Sequence, residues 1–411
     1  MKIDIRNREQ VKKDALKKLN ASDICEENKK RILEFVDYKI EEDGIEVLRQ
    51  IKYIGKLRLI AEHLEMPFDK ATKADIQQLV KKIYSLKVAL GKGKTPKEIT
   101  ESNKADYLIN LKTFFKWLKH SEHPEETEGI KIPKGKRKVV SYSDMLTWED
   151  IVFLTKFVVN SRDKAFIQVL WESGARIEEL LTLLIKDVEV VHNGRAIVLH
   201  LTKSKTELRS IGVVRSAPAL INWLENHPMR ADRDAPLWVN TMHGDKPLSY
   251  PGVRSFLLNI KDRAKFNKPM NPHNFRKSSA SYFSHILTES ETKKRFGWTQ
   301  DSPMLSIYCH PDENRINEKI MEFEGIIQKT PEEKQKEDER LKPKRCAFCE
   351  KLNPVGQEYC VLCKRPLNAE INLLQSQVEN AFSDGMREFT SQYPELLNKY
   401  FEFMRAKIGG G

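Results

Sequence analysis

One segment of this chain has a different hydrophobic period from the rest. In DVEVVHNGRAIVLHLTKSKTELRSIGVV, residues 187–214, apolar and polar side chains alternate, whereas elsewhere apolar residues recur every three or four positions. Alternation is typical of strands with one buried face, and Asn-Gly is a strong hairpin signal. Asn193-Gly194 therefore predicts a turn within a small antiparallel sheet of about three strands. The chain is predicted to be mainly α, of the α+β class, with helices around this sheet.

Residues 1–125 are predicted to form a helical domain. The segment EENKKRILEFVDYKIEEDG places one set of apolar side chains on a single helix face: Ile32, Phe35, Val36 and Ile40. The following segment continues the period with Ile45, Leu48, Ile51, Leu57, Ile60 and Leu64. Such stripes must be covered by neighbouring helices, so they predict a helical core. Thr72 stands where an N-cap would begin a further helix.

A second domain, residues 146–326, is predicted around the sheet. Thr147 and Asp150 have the spacing of a capping box at the start of its first helix. Helices are predicted on both sides of Gly174 and again in APALINWLENH, YPGVRSFLLNIKDRA, PHNFRKSSASYFSHI and ESETKKRFG. Gly297 suits the end of the last helix, because glycine adopts the left-handed conformation found at many helix C-termini.

Polar segments separate the predicted units. Residues 126–145 form a basic linker between the two domains, and residues 327–344 form a linker charged in both signs. A cysteine-rich segment, residues 345–367, and an amphipathic helical region, residues 368–408, complete the predicted organisation. The last region carries Ile371, Leu374, Val378 and Phe382 at helical spacing.

The composition is basic. Lys and Arg number 71 against 59 Asp and Glu, which gives a formal charge of +12 and a pI near 9.2. This excess favours a polyanionic partner, and nucleic acid is the first candidate. The linker cations are predicted either to follow a DNA backbone or to be solvated: Lys131, Lys134, Lys136, Arg137 and Lys138.

The expected location follows from two further sequence features. No apolar run has the length needed to span a bilayer. The N-terminus, MKIDIRNREQ, does not have the pattern of a secretion signal. The chain is therefore expected to be cytoplasmic and nucleoid-associated, with reduced thiols.

Four cysteines form two CxxC pairs: Cys346, Cys349, Cys360 and Cys363. Each pair can present two thiolates to a tetrahedral ion, so both pairs together leave no open coordination position. The prediction is one structural Zn²⁺ in a four-cysteine zinc ribbon, which would supply much of the segment's folding free energy, on the order of 10–16 kcal/mol. Two disulfides or an iron–sulfur cluster are the alternatives. The ribbon is predicted to bind DNA, to bind a protein, or to brace the chain.

Four short motifs in the second domain carry residue types suited to phosphate chemistry. They are GARIEEL, SKTELRS, HNFRKSSAS and FGWTQDSPMLSIYCH. In chain order they supply Arg176 with Glu179, Lys205, His273 with Arg276, and Trp298 with Tyr308. Residues three apart on a helix share a face, so His273 and Arg276 are expected to point the same way. Each motif is weak alone, and the order in which they occur is what makes the set specific.

In this order the motifs resemble the tyrosine recombinase, or phage-type integrase, family. The family's first Arg, hairpin Lys, His-x-x-Arg, His or Trp, and Tyr correspond to Arg176, Lys205, His273, Arg276, Trp298 and Tyr308. Glu179 matches the acidic residue three places after the first Arg. The likeness covers about Leu146 to Phe323, and the N-terminal helices resemble more loosely the family's SAM-like core-binding domain.

Two features depart from the common family pattern. Trp298 stands where most members have His, and Tyr308 follows it by ten residues instead of nine. This spacing, followed by CxxC pairs, resembles archaeal and haloviral-type integrases. In the hairpin, Arg209 after SKT favours Lys205 as the family's lysine, and Lys203 is the alternative.

The resemblance implies how the phosphate would be held. A phosphodiester is an anion, and its pentavalent transition state carries more negative charge. Arg176 and Arg276 would bind the non-bridging oxygens through paired charge-assisted hydrogen bonds. His273 and Trp298 would add neutral donors.

The resemblance also implies the bond exchange. Tyr308 would attack in line and become joined to the 3′ phosphate, while Lys205 would protonate the leaving 5′ oxygen. Glu179 would orient a catalytic group. One phosphate ester replaces another, so neither a nucleotide cofactor nor a catalytic metal is expected.

The predicted function is therefore site-specific DNA recombination that integrates or excises a mobile element. The expected partners are double-stranded DNA attachment sites, further copies of the chain in a homotetramer, and accessory factors, with no membrane. The final helix is predicted either to pass between protomers or to pack on its own domain. A type IB topoisomerase-like nicking-closing enzyme and a non-catalytic DNA-binding zinc-ribbon protein derived from an integrase are the alternatives.

Overall fold

The computed structural model describes residues 4–88, 95–133, 142–202, 208–241, 244, 246–308, 317, 320–321, 323–326, 342–396 and 399. The chain divides into two units, one of residues 4–139 and one of residues 140–411. Both consist mostly of helices with small antiparallel sheets, which confirms the predicted fold class.

The first unit is helical. Its described residues form α1 (Arg8–Asn20), α2 (Glu26–Asp43), α3 (Val47–Leu64), α4 (Lys73–Tyr84) and α5 (Glu101–Leu118), and the strands β1 (Lys87–Val88) and β2 (Lys97–Glu98) pair antiparallel. The predicted cap of α4 is confirmed. The Thr72 hydroxyl accepts from the Asp75 backbone N–H, and the Asp75 carboxylate accepts from the Thr72 backbone N–H.

An aromatic cluster fills the core of the first unit. The ring centroids of Phe35 and Phe114 lie 5.3 Å apart, and those of Phe68 and Phe114 lie 4.7 Å apart. These are ordinary distances for edge-to-face and tilted aromatic pairs. The predicted core face of α2 is confirmed for Ile32, Phe35 and Val36, which are buried, and Ile40 packs at its margin.

The apolar face of α3 differs from the prediction over its first half. Leu57, Ile60 and Leu64 are buried as expected, but Ile45 precedes the helix, and Leu48 and Ile51 are only half-buried. The core instead takes Tyr53 and Ile54. The reason is that α1, α2, α4 and α5 all contact α3, so more than one of its faces is covered. A single-stripe pattern cannot identify the buried residues of a helix with several neighbours.

The second unit contains the predicted sheet among helices. The helices are α6 (Trp148–Thr155), α7 (Ser161–Ser173), α8 (Ile177–Leu181), α9 (Ala217–Glu225), α10 (Tyr250–Arg263), α11 (Pro272–Phe283), α12 (Glu289–Phe296) and α13 (Met304–Tyr308). The strands are β3 (Val188–Val191), β4 (Ala196–Leu201) and β5 (Arg209–Val213), in the order β3-β4-β5. The predicted capping box of α6, between Thr147 and Asp150, is confirmed.

The turn signal in the sheet is also confirmed. Val191 pairs with Ala196, so four residues connect β3 to β4, and His192, Asn193 and Gly194 lie in this turn with φ of 51°, 55° and 80°. Asn and Gly tolerate positive φ better than most residues, which explains why they occur there. In β4 the buried side chains alternate with half-buried ones, as the period of two predicts.

Helix α7 lies at the centre of the second unit. It contacts α6, α9 and α11, and its residues from Ala165 to Ser173 are all buried. Glu172 is buried too, but its carboxylate accepts from the backbone N–H groups of Val214 and Ser216 and from the Ser216 hydroxyl. A buried carboxylate is tolerated when donors satisfy it. Glu172 thereby holds the end of β5 next to α7.

The cysteine-rich segment packs on the second unit. Its strands are β6 (Lys344–Arg345) and β7 (Leu352–Asn353), and β7 contacts α9. Lys351 Nζ lies 2.5 Å from Glu225 Oε1 on α9. Gly356 approaches α6 so closely that a Cβ there would lie 3.0 Å from Thr155 Oγ1. The segment therefore contacts two helices of this unit.

The C-terminal helix, Ala369–Gln392, has an exposed apolar side. Val378 is 67% exposed and Phe382 is 71% exposed. The helical spacing predicted for these two residues is therefore present, and their side chains face solvent. Among the described helices, none combines the length and apolar composition that crossing a bilayer requires.

Candidate active site

A sharp bend after α7 positions Arg176. Helix α7 ends at Gly174, which has a φ of 55°, and α8 begins immediately after Arg176. A Cβ on Gly174 would lie 2.3 Å from Phe296 Cε1 and 2.7 Å from Ser279 Oγ. Glycine is needed here for the left-handed backbone and for the close approach of α11 and α12, which carry Ser279 and Phe296.

Arg176 shares one carboxylate with a second arginine. Glu179 Oε1 accepts from Arg176 Nη1 at 2.9 Å and from Arg209 Nη1 at 3.0 Å. Glu179 Oε2 accepts from the Arg176 backbone N–H at 2.8 Å and from Arg209 Nη2 at 2.7 Å. The Glu179 side chain is 2% exposed, so these bonds are shielded from water. Arg209, at the start of β5, thus binds the same Glu179 carboxylate as Arg176.

The environment of Glu179 stabilises its ionised form. Burial alone would raise the pKa of this carboxyl, but hydrogen bonds and positive charge from Arg209, followed by hydrogen bonds from Arg176, outweigh it and lower the pKa to about 2. A carboxylate between two guanidiniums is the arrangement in which an opposite charge favours ionisation. Glu179 is therefore an anion at neutral pH.

Three arginines bind successive carbonyl oxygens where α12 ends. Arg209 Nε donates to Arg295 O at 2.9 Å, Arg276 Nη2 donates to Phe296 O, and Arg176 Nη2 donates to Gly297 O at 2.9 Å. The last carbonyls of a helix lack intrahelical partners and carry partial negative charge. The end of α12 consequently fixes Arg176 and Arg276 side by side.

Aromatic rings surround the Arg276 guanidinium. Arg276 is buried, and Arg276 Nη1 donates to Gly174 O at 2.8 Å. Its Cζ lies 5.4 Å from the ring centroid of Phe296 and 5.5 Å from that of Trp298. These two rings stack with centroids 5.2 Å apart. A desolvated guanidinium is attracted to the faces of aromatic rings. Trp298 therefore stabilises Arg276 together with Phe296.

His273 lies one turn before Arg276 on α11, and its side chain is exposed. Partial desolvation lowers the pKa of its imidazole, and the positive charges of Lys277 and Arg276 lower it further. The neutral imidazole is therefore favoured at neutral pH, which suits a neutral hydrogen-bond donor.

Tyr308 ends α13, a short helix that contacts both α11 and α12. Met304 and Ile307 of α13, like Trp298, pack against the buried cluster of Ala280 and Phe296. The backbone of Tyr308 therefore follows directly on residues that touch this cluster. Its side chain lies outside the described residues.

Several predicted residues also lie outside the described part of the chain. They are Lys205 and its alternative Lys203 in the hairpin, and Lys134, Lys136, Arg137 and Lys138 in the linker. Lys131 is described, and it is exposed.

Sequence reasoning missed Arg209 as a member of the site. It noted this arginine only as a neighbour of the predicted lysine. Arg209 meets Glu179, which lies thirty positions earlier, and Arg295, which lies far later in the chain. The sequence showed only an arginine at the start of a predicted strand. That its side chain is 5% exposed is visible only in the structure.

Replacing Glu179 by Gln is expected to remove an acid-sensitive part of the stability. The carboxylate contribution is complete above the ordinary pKa of 4.5 and is lost as the pH falls through about 2. The shift corresponds to about 3 kcal/mol. The difference in unfolding free energy between wild type and E179Q, measured in urea, should be largest near neutral pH and should narrow towards about pH 3. A difference that does not change with pH would contradict this interpretation.

Replacing Gly174 by Ala is expected to destabilise the second unit by about 2–4 kcal/mol, because left-handed strain adds to overpacking. Gly194→Ala is the matched control in the same unit. It has φ of 80°, but its Cβ would meet only Ile221 Cδ1, at 3.5 Å. Thermal unfolding of both variants should show the larger loss for G174A. Equal losses of stability in G174A and G194A would mean that overpacking against Phe296 and Ser279 does not destabilise the protein.

The four paired cysteines fit a tetrahedral metal. Their Sγ atoms all lie within 4.8 Å of one another, with 3.5 Å between Cys346 and Cys363 and between Cys349 and Cys360. Metal–sulfur bonds of about 2.3 Å in a tetrahedron require sulfurs about 3.8 Å apart. The Cys349 backbone N–H lowers the pKa of the Cys346 thiol, against the opposing effect of burial. The donor set can therefore hold one structural metal ion.

Comparison with known proteins shows similarity to phage integrases and tyrosine recombinases. Residues 145–315 match the family model described as the phage integrase family. The chain is 23% identical over 239 residues to tyrosine recombinase XerD of Listeria innocua, covering 56% of this chain and 77% of that protein.

Solved structures share the fold. A XerH site-specific recombinase bound to a palindromic difH substrate, in a post-cleavage complex, has a TM-score of 0.53 at 16% identity and covers 79% of this chain and 91% of its own. A lambda integrase tetramer bound to a Holliday junction has a TM-score of 0.50 at 14% identity, covering 68% and 76%.

Proposed function

Because this chain belongs to the phage integrase family and is a tyrosine recombinase, we propose that it cuts and rejoins duplex DNA at specific sites to integrate or excise a mobile element. The observation that carries the proposal is the fixation of Arg176 and Arg276 on successive carbonyls at the end of α12. Two adjacent guanidiniums form a site for the two non-bridging oxygens of one phosphodiester.

The proposed cleavage step transfers a phosphoryl group from DNA to protein. The Tyr308 oxygen forms a bond to the scissile phosphorus as the bond to the 5′ oxygen breaks, leaving a 3′-phosphotyrosine. The tyrosine loses its proton, and Lys205 supplies a proton to the leaving 5′ oxygen. The pKa of a free tyrosine is near 10, so neighbouring arginines would favour its ionised form.

The other predicted residues would support the transition state. Arg176 and Arg276 would neutralise the added charge, and His273 and Trp298 would donate neutral hydrogen bonds. Each preorganised donor of this kind is typically worth ~2.7–4 kcal/mol at the transition state. The reverse attack by a 5′ hydroxyl of the partner duplex restores a DNA phosphodiester and frees Tyr308. Energy is conserved between two phosphate esters, so the step uses neither ATP nor a catalytic metal.

The cysteine cluster is proposed to bind one structural Zn²⁺. Four thiolates without an open position would hold the ion. The contacts of this segment with α6 and α9 support a bracing role. The ribbon's likeness to archaeal-type integrases remains a prediction.

The proposed assembly is a homotetramer on two DNA attachment sites, with accessory factors. The exposed apolar residues Val378 and Phe382 of the C-terminal helix support exchange of this helix between protomers. Buried apolar surface is a common basis of subunit contact. Lys131, together with Lys134, Lys136, Arg137 and Lys138, is proposed to follow the DNA backbone.

A nicked suicide duplex tests the reaction class. Direct repeats that flank the element in its genome would supply the attachment site. The recombinase should accumulate a covalent protein–DNA adduct and should exchange strands between two sites. An adduct with plasmid relaxation but no exchange would favour a type IB-like nicking-closing enzyme. Binding without any adduct would leave a non-catalytic DNA-binding protein and would overturn the proposal.

A further inference from the structure

We propose that Arg209 is a positioning residue of this site. It shares the Glu179 carboxylate with Arg176 and so gives the group of Arg176, Glu179 and Arg209 a net charge of one positive unit beside the scissile phosphate. The inference rests on the proposed function. It assigns Arg209 a role in the reaction without contact with DNA.

All three guanidinium nitrogens of Arg209 already donate to protein acceptors. Its side chain is 5% exposed. Nη1 and Nη2 bind both oxygens of Glu179, at 3.0 and 2.7 Å, and Nε binds Arg295 O at 2.9 Å. In contrast, the side chain of Arg176 is 30% exposed. Arg209 therefore faces the protein, and Arg176 is the member of the pair that DNA can reach.

Counting charges shows what Arg209 changes. Arg176 and Glu179 alone form a neutral pair, because one guanidinium meets one carboxylate. Adding the Arg209 guanidinium gives the group a net charge of one positive unit. In a partly desolvated site, one unit of charge alters the attraction of a phosphate strongly. Without Arg209, Glu179 would oppose the charge of Arg176.

Arg209 also shapes the backbone that holds Arg176. A Cβ on Gly297 would lie 2.7 Å from Arg209 Nη1 and 3.3 Å from Arg176 Nη1. The backbone of Gly297 therefore packs directly against both guanidiniums, and its carbonyl binds Arg176 Nη2. Charge and geometry are two separable contributions of Arg209.

Three variants separate these contributions. Arg209→Gln removes the positive charge of Arg209. Arg209→Lys keeps the charge but loses the bidentate hydrogen bonds to Glu179. The double variant, Arg209→Gln with Glu179→Gln, removes both charges, so the charge of Arg176 again gives the group one net positive unit. Single-turnover cleavage of the nicked suicide duplex should fall about 100-fold in R209Q. It should fall about tenfold or less in R209K. The double variant should cleave at least about tenfold faster than R209Q, although it has lost more native contacts.

Arg162→Gln is the matched control. Arg162 is also buried, pairs with the carboxylate of Asp163 and donates to Val239 O at 2.8 Å. It is not a member of the group formed by Arg176, Glu179 and Arg209. R162Q should lose thermal stability while cleaving at the wild-type rate below its unfolding temperature. DNA affinity, measured separately, should change less than cleavage in all R209 variants.

The outcomes are distinguishable. If the folded double variant cleaves no faster than R209Q, the charge role is overturned while the proposed function stands. If the double variant does not fold, the test is the cleavage rate of R209K. A cleavage rate of R209K as low as that of R209Q overturns the inference. If wild type forms no adduct on its attachment site, the proposed function fails and this inference fails with it.

Discussion

Tyr308→Phe is expected to abolish the covalent protein–DNA adduct while DNA binding is retained. The substitution removes only the phenolic oxygen, which is the proposed nucleophile, and leaves an aromatic ring of nearly the same size. In a serine protease, loss of the nucleophile lowers kcat about 10⁶-fold. The measurement is adduct formation on a nicked suicide duplex, read as a gel-shifted species that survives denaturation, with affinity measured separately.

Tyr282→Phe is the matched control for this prediction. Tyr282 lies on α11 in the same unit, and its hydroxyl accepts from Arg215 Nη2 at 3.0 Å. Its loss should cost a hydrogen bond and some stability, about 1 kcal/mol, without preventing adduct formation. An adduct that persists in Y308F would show that another group attacks the phosphate, and the assignment of Tyr308 would be wrong.

Replacing Cys346 and Cys360 together by Ser is expected to unfold the ribbon in the full chain. The pair contributes one thiolate from each CxxC turn, and both residues are buried. The metal is proposed to supply on the order of 10–16 kcal/mol of the segment's folding free energy. Hydrogen exchange should show lost protection at Asn353 and Val355, which are buried in wild type. Native mass spectrometry should show the loss of one zinc ion.

The same experiment tests the bracing role. If the ribbon supports the second unit, loss of metal should also increase exchange in α6 and α9, where Thr155 and Glu225 meet the ribbon. Cys25→Ser is the control, because Cys25 is an exposed cysteine of the first unit. It should leave both metal content and exchange unchanged. A zinc ion retained by the double variant, or two disulfides in wild type, would contradict the proposed four-cysteine site.

Local signals in the sequence were sufficient for much of the fold. The capping boxes at Thr72 and Thr147, the turn at Asn193 and the helix end at Gly297 each depend on residues within a few positions of one another. Their physics is local, because one side chain satisfies one nearby backbone group or one residue type permits one backbone angle. Such features can be predicted without knowing the neighbours.

The candidate site was only partly predictable. The order of its motifs identified Arg176, Arg276 and Trp298 as candidates, and the fold brings these three to the end of α12. The same reasoning could not find the shared carboxylate of Glu179 and Arg209. Nor could it choose the core face of α3, because burial on several sides depends on where other helices lie.

By itself, the sequence determined the mainly helical class, the hairpin sheet of the second unit, the spacing of the four cysteines and the order of motifs that resembles the phage integrase family. Only the tertiary structure decided that three arginines cap one helix end and that Arg209 joins Arg176 at Glu179. The physical reason is that hydrogen-bonding partners of a buried charge come from distant parts of the chain. A desolvated carboxylate must be satisfied by whichever donors the fold brings to it, and sequence spacing does not encode that choice.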